Sequence, residues 1–307
     1  MNSRVDLACA WAVLLVAAGA VAAGWWRVRW VRDPRVTHVS DRVLATALPT
    51  ELCRMLLAAL QPVVRTMLAL GVSANAVTLA SLLAGIVAGC TLGTGHFGIA
   101  GVLFVAASCG DALDGLVARA SHTESPGGAL FDASVDRYEE FFAFAGLAIF
   151  FRSSELLLTL TLVALAGSFM VSYGSAQAEA RHIRVPPGLM RRPERATCLG
   201  LGIVLGPIAR ATAPHLGMGA WLGEAPVVVA MSVIAVVANV CAVRRIRAIA
   251  EAITPRAPSV VAHSSAIDAT PLHVGSGHPA AVHAIGGHSI GGHSRRRRGA
   301  AVGAGAL

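Results

Sequence analysis

Long apolar runs, each ending in polar or charged positions, recur along the chain. A hydrocarbon core about 30 Å thick requires roughly 20 apolar residues for one helical crossing. Seven segments meet this length, at residues 7–26, 76–95, 97–118, 129–151, 155–176, 196–215 and 223–243. The pattern therefore predicts an all-α, polytopic membrane helix bundle. The first run lacks a signal-peptide cleavage site before Trp25 and Trp26, so we expect it to stay as a transmembrane anchor.

The arginines predict the orientation of these spans. Arg27, Arg29, Arg32 and Arg35 follow the first span, whereas Arg4 alone precedes it. Because basic residues accumulate on the cytoplasmic side, the N-terminus is expected outside the cell membrane. Alternation then places the arginine-rich segments 181–195 and 244–247 inside. The expected location is the cell (inner) membrane, crossed several times.

The segments outside the apolar runs suggest four regions. We predict an N-terminal transmembrane anchor at 1–35, a juxtamembrane amphipathic region at 36–75, a transmembrane domain at 76–250 and a disordered Gly/His/Arg-rich cytoplasmic tail at 251–307. Within the second region, residues 41–70 carry polar residues at roughly helical spacing. They fit either a helix lying in the membrane interface or a connector packed on the bundle.

Composition narrows the classes of protein. Of 307 residues, 55% are hydrophobic and 14% are charged, which excludes an ordinary soluble domain. The net charge of +8 resides at the ends of apolar segments and in the tail, without interleaved aromatic residues. Anionic membrane lipids therefore explain it better than nucleic acid does. The six cysteines form no CxxC pair and predict no zinc site.

Half of the chain's eight aspartates fall within 26 residues of two apolar segments: Asp111, Asp114, Asp132 and Asp136. A carboxylate at membrane depth costs at least about 2.5 kcal/mol on insertion scales, so this group requires compensation. Spacings of i, i+3 and i, i+4 place each pair on one helical face. Oxygen ligands without histidine or thiolate favour Mg²⁺ or Mn²⁺, and four carboxylates suffice for two ions that bridge a diphosphate.

The residues between the aspartates also fit a phosphate site. Gly115 and Ala118 leave space beside the carboxylates, where a nucleotide could approach the backbone. Arg119 could neutralise a phosphate or pair with Glu124.

Together these residues form the string Asp111-x2-Asp114-Gly115-x2-Ala118-Arg119-x8-Gly128-x3-Asp132-x3-Asp136. It resembles the signature of the CDP-alcohol phosphatidyltransferase family. The resemblance covers about residues 70–245 and implies six core transmembrane helices, with the first helix as an N-terminal addition.

The resemblance also implies functional roles and partners. The donor would be CDP-diacylglycerol, the acceptor a small polar alcohol and the released product CMP, with the site facing the cytoplasm and a homodimer possible. The four aspartates would hold the metals, Asp136 would also be the general base, and the CDP pocket would be lined by Gly115, Ala118, Arg119 and Gly128. Upstream, Asn75 and Thr78 resemble the family's Pro-Asn-x-x-Thr entry, with Ala74 in place of proline; they would either cap the helix or contact nucleotide.

A second polar cluster, at 172–180 and 188–195, resembles segments of the prokaryotic phosphatidylinositol-phosphate synthases within this family, although Gln177 replaces the usual arginine. That subgroup implies inositol phosphate as the acceptor, with Arg137, Arg192 and Arg195 as candidates for binding its phosphate. These arginines could instead pair with nearby glutamates, and glycerol 3-phosphate is an alternative acceptor. A hydrolase of CDP-lipids and a cation or proton transporter are the alternative functions.

Overall fold

The structure, a computed structural model, describes residues 2–30, 50–185 and 188–254. Eight α-helices account for most of these residues. In chain order they are α1 (Asn2–Trp30), α2 (Thr50–Ala69), α3 (Ala74–Gly93), α4 (Phe97–Ala120), α5 (Pro126–Phe150), α6 (Glu155–Ala180), α7 (Arg192–Thr212) and α8 (Ala225–Ile253). Two short 3₁₀ helices, Ala213–Leu216 and Ala220–Gly223, join α7 to α8. The predicted tail lies outside the described residues from 255 onward.

The predicted all-α bundle is confirmed, and α3 to α8 correspond to the six predicted core spans. Short polar residues begin three of these helices. The hydroxyls of Ser73, Ser125 and Ser154 accept hydrogen bonds from backbone N–H groups in the first turns of α3, α5 and α6. Such caps satisfy donors that have no partner within the helix, so the sequence defines these helix starts locally.

Seven described helices are long and apolar enough to cross a membrane: α1, α2, α3, α4, α6, α7 with the 3₁₀ helix that follows it, and α8. The number equals the prediction, but the membership differs because α2 qualifies and α5 does not. The first half of α5 carries five charged residues between Asp132 and Glu140. The second half is apolar and buries Phe144 and Leu147 in the core. The polar part of α5 therefore marks the functional end of the bundle.

Helix α3 is the common support of the two helices that carry the aspartates. A Cβ atom on Gly89 of α3 would lie 2.4 Å from the carbonyl oxygen of Phe142 on α5. One on Gly110 of α4 would lie 1.9 Å from the hydroxyl of Ser81 on α3. The atoms at Gly89 belong to the backbone and cannot turn away, so only glycine allows α3 and α5 to approach so closely; at Gly110 the Ser81 side chain would have to move. This contact brings the carboxylate faces of α4 and α5 together over α3.

Helix α2 contacts both α1 and α4. Gly24 of α1 contacts Met55 on α2, and Val64 of α2 packs in a cluster with Val117 of α4. Asp6 of α1 contacts Gly98 of α4 at the opposite end. Gly24 follows Asp6 by 18 residues and Val117 follows Gly98 by 19, roughly 27–29 Å along each helix. Helix α2 therefore packs near the C-terminal ends of both α1 and α4, and its position in the membrane interface stays a prediction.

Candidate active site

Three carboxylates meet where α4 and α5 face each other. One oxygen from each of Asp111, Asp136 and Glu139 lies within 4.8 Å of the other two. Asp111 comes from α4, whereas Asp136 and Glu139 lie one turn apart on α5. Their side chains are largely shielded, at 9%, 18% and 8% exposure. Such close acidic groups need a shared cation, since isolated buried carboxylates are unfavourable.

Arg192, the first residue of α7, contacts all three carboxylates through one guanidinium nitrogen. This Nη2 atom lies 2.5 Å from Asp111 Oδ2, 2.8 Å from Asp136 Oδ1 and 3.1 Å from Glu139 Oε2. One guanidinium supplies a single positive charge to three acids. The cluster therefore keeps a net negative charge that further cations can neutralise.

The oxygen atoms of this cluster fit divalent metal ions. Asp111 Oδ1, Asp132 Oδ1 and Glu139 Oε1 are buried without a hydrogen-bond partner among the described residues. A buried oxygen without a donor is costly, and hard cations such as Mg²⁺ and Mn²⁺ select carboxylate oxygens. The predicted ligand Asp132 is half-buried one turn before Asp136, on the same face of α5. The donor set thus fits the predicted metals.

Asp114, the fourth predicted ligand, is held from α3. It is 4% exposed, and its Oδ2 accepts a hydrogen bond of 2.5 Å from the Thr78 hydroxyl. Thr78 was predicted either to cap α3 or to contact nucleotide, as was Asn75. The capping role belongs instead to Ser73, while Thr78 orients Asp114 and Asn75 is exposed near the same helix end. A nucleotide contact by Asn75 or Thr78 stays a prediction.

The residues predicted to line the CDP pocket lie at the end of α4 and the start of α5. The Arg119 guanidinium lies over Gly115, where an added Cβ would be 3.3 Å from its nitrogen. The structure contains no ion pair between Arg119 and Glu124, both of which it describes. Gly128 donates its backbone N–H to the Ser125 hydroxyl at 3.0 Å, and Ala118 is half-buried nearby on α4. The arrangement leaves small residues and one guanidinium beside the carboxylates.

The predicted acceptor arginines have different environments. Arg195 is 2% exposed; its Nε and Nη2 bond both oxygens of Glu140 at 2.7 and 2.9 Å, and Ser172 and the Met190 carbonyl take its other contacts. The pairing with a glutamate that the sequence left open is therefore present. Arg137 is half-buried and donates to the carbonyl of Ala133 in its own helix. Of the three arginines, Arg192 alone contacts the predicted metal ligands.

A cavity opens beside this cluster between α3, α4, α5, α7 and α8. Its polar lining consists of Ser108, Asp136, Glu139, Glu140, Arg192 and Arg195, and its apolar lining includes Phe104, Phe144, Leu199 and Ile234. Of the four predicted aspartates, only Asp136 lines this cavity within the described structure. Both carboxylates and guanidiniums therefore lie in the wall of this cavity.

Glu139 and Glu140 were missed as site residues in the sequence, where they were considered only as ion-pair partners. A spacing of i, i+3 from Asp136 places Glu139 on the metal-facing side of α5, and this signal was available. The partner of Glu140 could not be read from spacing, since Arg195 follows it by 55 positions.

Thr78→Val should weaken metal binding, because it removes the hydroxyl that orients Asp114 while keeping the shape of the side chain. Loss of a group that orients a metal ligand typically costs about 10- to 100-fold in affinity. Titration of purified protein with Mn²⁺ measures this loss, and Thr78→Ser should restore most of it. Thr91→Val is the matched control, since Thr91 bonds only carbonyls of its own helix α3. Wild-type Mn²⁺ affinity in Thr78→Val would contradict the assigned role.

Comparison with known proteins places this site in a family. Residues 71–254 match the CDP-alcohol phosphatidyltransferase family. The phosphatidylinositol phosphate synthase of Mycobacteroides abscessus is 35% identical over 147 residues, which are 47% of this chain and 67% of that protein. Its counterpart in Mycobacterium tuberculosis is 32% identical over 170 residues, covering 52% and 76% of the two chains.

Solved structures agree with this assignment. A crystal structure of the M. tuberculosis phosphatidylinositol phosphate synthase in complex with manganese and citrate superposes with a TM-score of 0.54 at 25% identity, covering 64% of this chain and 92% of that one. A second structure of that enzyme, with CDP-DAG bound, has the same fold at a TM-score of 0.53 and 24% identity, covering 64% and 97%. The chain therefore belongs to the CDP-alcohol phosphatidyltransferase family and is a multi-pass membrane transferase of phospholipid biosynthesis.

Proposed function

We propose that this enzyme transfers the phosphatidyl group of CDP-diacylglycerol to a hydroxyl of an inositol phosphate and releases CMP. The observation that carries the proposal is the carboxylate cluster of α4 and α5 beside a cavity that Arg192 and Arg195 also line. The names of the relatives and the CDP-DAG bound to the M. tuberculosis enzyme support the donor and the acceptor. We place the active site on the cytoplasmic side of the cell membrane, in accord with the arginine distribution.

Metal ions would be held by Asp111, Asp114, Asp132 and Asp136, with Glu139 close enough to join them. Two Mg²⁺ or Mn²⁺ ions, when bound, would neutralise the diphosphate and stabilise the charge that develops on the leaving CMP. Manganese in the M. tuberculosis structure supports this ion type. Thr78 holds Asp114 in position, and α3 fixes the distance between the two helices that supply the ligands.

We assign the nucleotide to the part of the site formed by the last turns of α4 and the first turn of α5. Gly115, Ala118 and Gly128 have no bulky side chain there, so the cytosine and ribose can lie against backbone. Arg119 beside Gly115 is positioned to bind a phosphate oxygen. Asn75 and Thr78 lie at the start of α3 on this same end, where they can reach the nucleotide.

The acceptor is assigned to the cavity. Arg192 and Arg195 line it and are the proposed phosphate-binding residues, with Arg137 next to Asp136 on α5. Arg195 would bind a phosphate oxygen in exchange for part of its pair with Glu140. Glu139 and Glu140 can accept hydrogen bonds from ring hydroxyls. Asp136 lies at the boundary between the cavity and the metal ligands, where it can take the proton of the attacking hydroxyl. That oxygen bonds to the phosphorus next to diacylglycerol as the bond from this phosphorus to CMP breaks.

An acceptor assay tests the proposal directly. Purified full-length protein is incubated with CDP-diacylglycerol and Mg²⁺, and CMP release is measured with an inositol phosphate, free inositol, glycerol 3-phosphate or no acceptor. We expect the inositol phosphate to give at least about 10-fold faster release than the others, because only it supplies both the phosphate for the arginines and the ring hydroxyls. Excess chelator should abolish release.

Each other outcome identifies a different function. Equal CMP release without acceptor would indicate hydrolysis of the CDP-lipid, and fastest release with glycerol 3-phosphate would change the acceptor. No release with any of them would reject the proposed donor. Full activity in excess chelator would reject the metal site. The mass of the protein in detergent micelles checks the homodimer that the family resemblance implies.

A further inference from the structure

A buried carboxylate from the added helix α1 bonds the first turn of α4. Asp6 is 9% exposed, and its Oδ1 accepts hydrogen bonds from the backbone N–H groups of Gly98 at 3.0 Å and Ile99 at 3.2 Å. Its Oδ2 lies 3.4 Å from His96 Nδ1. Neither α1 nor Asp6 belongs to the part of the chain that matches the family. Burial of a charged side chain is unfavourable unless specific partners compensate it, so this contact indicates that α1 packs on the bundle in a defined position.

These bonds replace a cap that α4 lacks locally. His96 occupies the N-cap position of α4 and makes no side-chain cap hydrogen bond. The first N–H groups of a helix have no partner within it, and a carboxylate is among the preferred acceptors for them. Asp6 thus acts as the N-cap of α4 from a separate helix, 92 positions earlier in the chain.

Two glycine contacts show that α1 is seated closely along its length. A Cβ on Gly98 would lie 2.0 Å from the Asp6 carbonyl oxygen, and one on Gly24 would lie 1.9 Å from the Met55 carbonyl oxygen. Gly19 of the same helix has nothing within 4 Å and faces outward. Helix α1 thus makes close backbone contacts at both ends, with α4 at one end and α2 at the other, as small residues allow in packed membrane helices.

The contact at Met55 connects α1 to the catalytic end of α4. Met55 belongs to α2, and Val64 of α2 packs in a cluster with Leu113 and Val117 of α4, which flank Asp114. Helix α1 therefore contacts the start of α4 directly and its carboxylate-bearing end through α2.

We propose that α1 is a docked brace of the catalytic bundle and that Asp6 is its docking residue, capping the helix that carries Asp111 and Asp114. The brace holds α4 at both ends. This assignment concerns the assembly of the bundle and does not depend on which donor or acceptor the enzyme uses.

A cleavage experiment tests the docking. A protease site is inserted within residues 31–49, the full chain carries an N-terminal affinity tag, and the purified protein is cut in mild detergent. Capture on the tag should retain the catalytic fragment for wild type and for Gly19→Leu. Retention should fall several-fold for Asp6→Ala and for Gly24→Leu. Loss of the fragment from wild type, or equal retention by Asp6→Ala and Gly19→Leu, would overturn the proposal.

A rescue experiment tests the cap itself. Asp6→Ala should lower the melting temperature of the uncut protein by roughly 1–3 °C, the shift expected from one lost N-cap in a protein of this size. His96→Ser supplies a local cap, so it should restore most of the loss in the Asp6→Ala background and add little to wild type. If His96→Ser recovers nothing in that background, Asp6 does not act as the cap of α4.

Discussion

Asp111→Asn should eliminate measurable turnover through loss of metal binding. Asp111 is the only α4 member of the three-carboxylate group in the described structure, so its loss leaves both remaining carboxylates of that group on α5. Among the described residues its Oδ1 is buried without a hydrogen-bond partner, as expected for an oxygen that binds a cation. Asparagine keeps the shape but removes the negative charge. We expect Mn²⁺ affinity to fall at least about 100-fold, the upper end of the loss caused by groups that only orient ligands.

Mn²⁺ titration and CMP release on the same preparation measure both effects. Glu155→Gln is the matched control, since Glu155 is an exposed acid at the start of α6, at the opposite end of the bundle. The control should keep both properties, and the melting temperature of each variant verifies folding. Wild-type Mn²⁺ affinity in Asp111→Asn would show that the metals bind elsewhere. Normal affinity with no turnover would restrict Asp111 to a role in the reaction.

The helices themselves could be predicted from the sequence because bilayer thickness fixes the length of each apolar run. The helix faces that carry the carboxylates could be predicted equally well, because the three- and four-residue spacings of the aspartates determine the side of each helix on which they lie. Helix α5 shows where hydropathy alone is insufficient. Its first half is charged, and only its place between α4 and α6 and its apolar second half identify it as part of the bundle.

Contacts between distant parts of the chain could not be predicted in this way. Arg192 was expected to bind the acceptor, and its position against Asp111 depends on how the start of α7 packs on α4 and α5. Arg195 was expected to do the same, but the structure gives it a bidentate pair with Glu140 that local spacing cannot reveal. Asp6 was an ordinary residue of an anchor until the docking of α1 brought it to Gly98. Periodicity specifies the face of a helix, whereas the neighbour of that face depends on tertiary packing.

The site has two parts, the group of predicted metal ligands and the wall of the neighbouring cavity, and α5 contributes residues to both. Asp111, Asp114 and Asp132 do not line the cavity in the described structure, whereas Asp136, Glu139 and Glu140 do. Under the proposed function, the reacting hydroxyl lies where the metal ligands meet the cavity. Asp136 is the one of the four predicted metal ligands that lines the cavity, and we therefore assign the hydroxyl proton to it.

Asp136→Asn should therefore cut turnover by at least the ~10²-fold typical of a removed general base, while binding of the CDP-lipid falls far less. The carboxylate contacts Arg192 and lies within 4.8 Å of Asp111 and Glu139, so the variant also changes one of the proposed metal ligands. Donor binding by calorimetry and CMP release at saturating Mn²⁺ and acceptor separate the two roles. Glu139→Gln is the matched comparison, because Glu139 lines the same cavity one turn further along α5. We expect a smaller loss of turnover there, because the proposed function gives Glu139 a hydrogen bond to the acceptor and gives the proton transfer to Asp136. If Asp136→Asn binds the donor normally and turns over within a few-fold of wild type while Glu139→Gln is inactive, the proton acceptor is Glu139 and Asp136 is only a metal ligand.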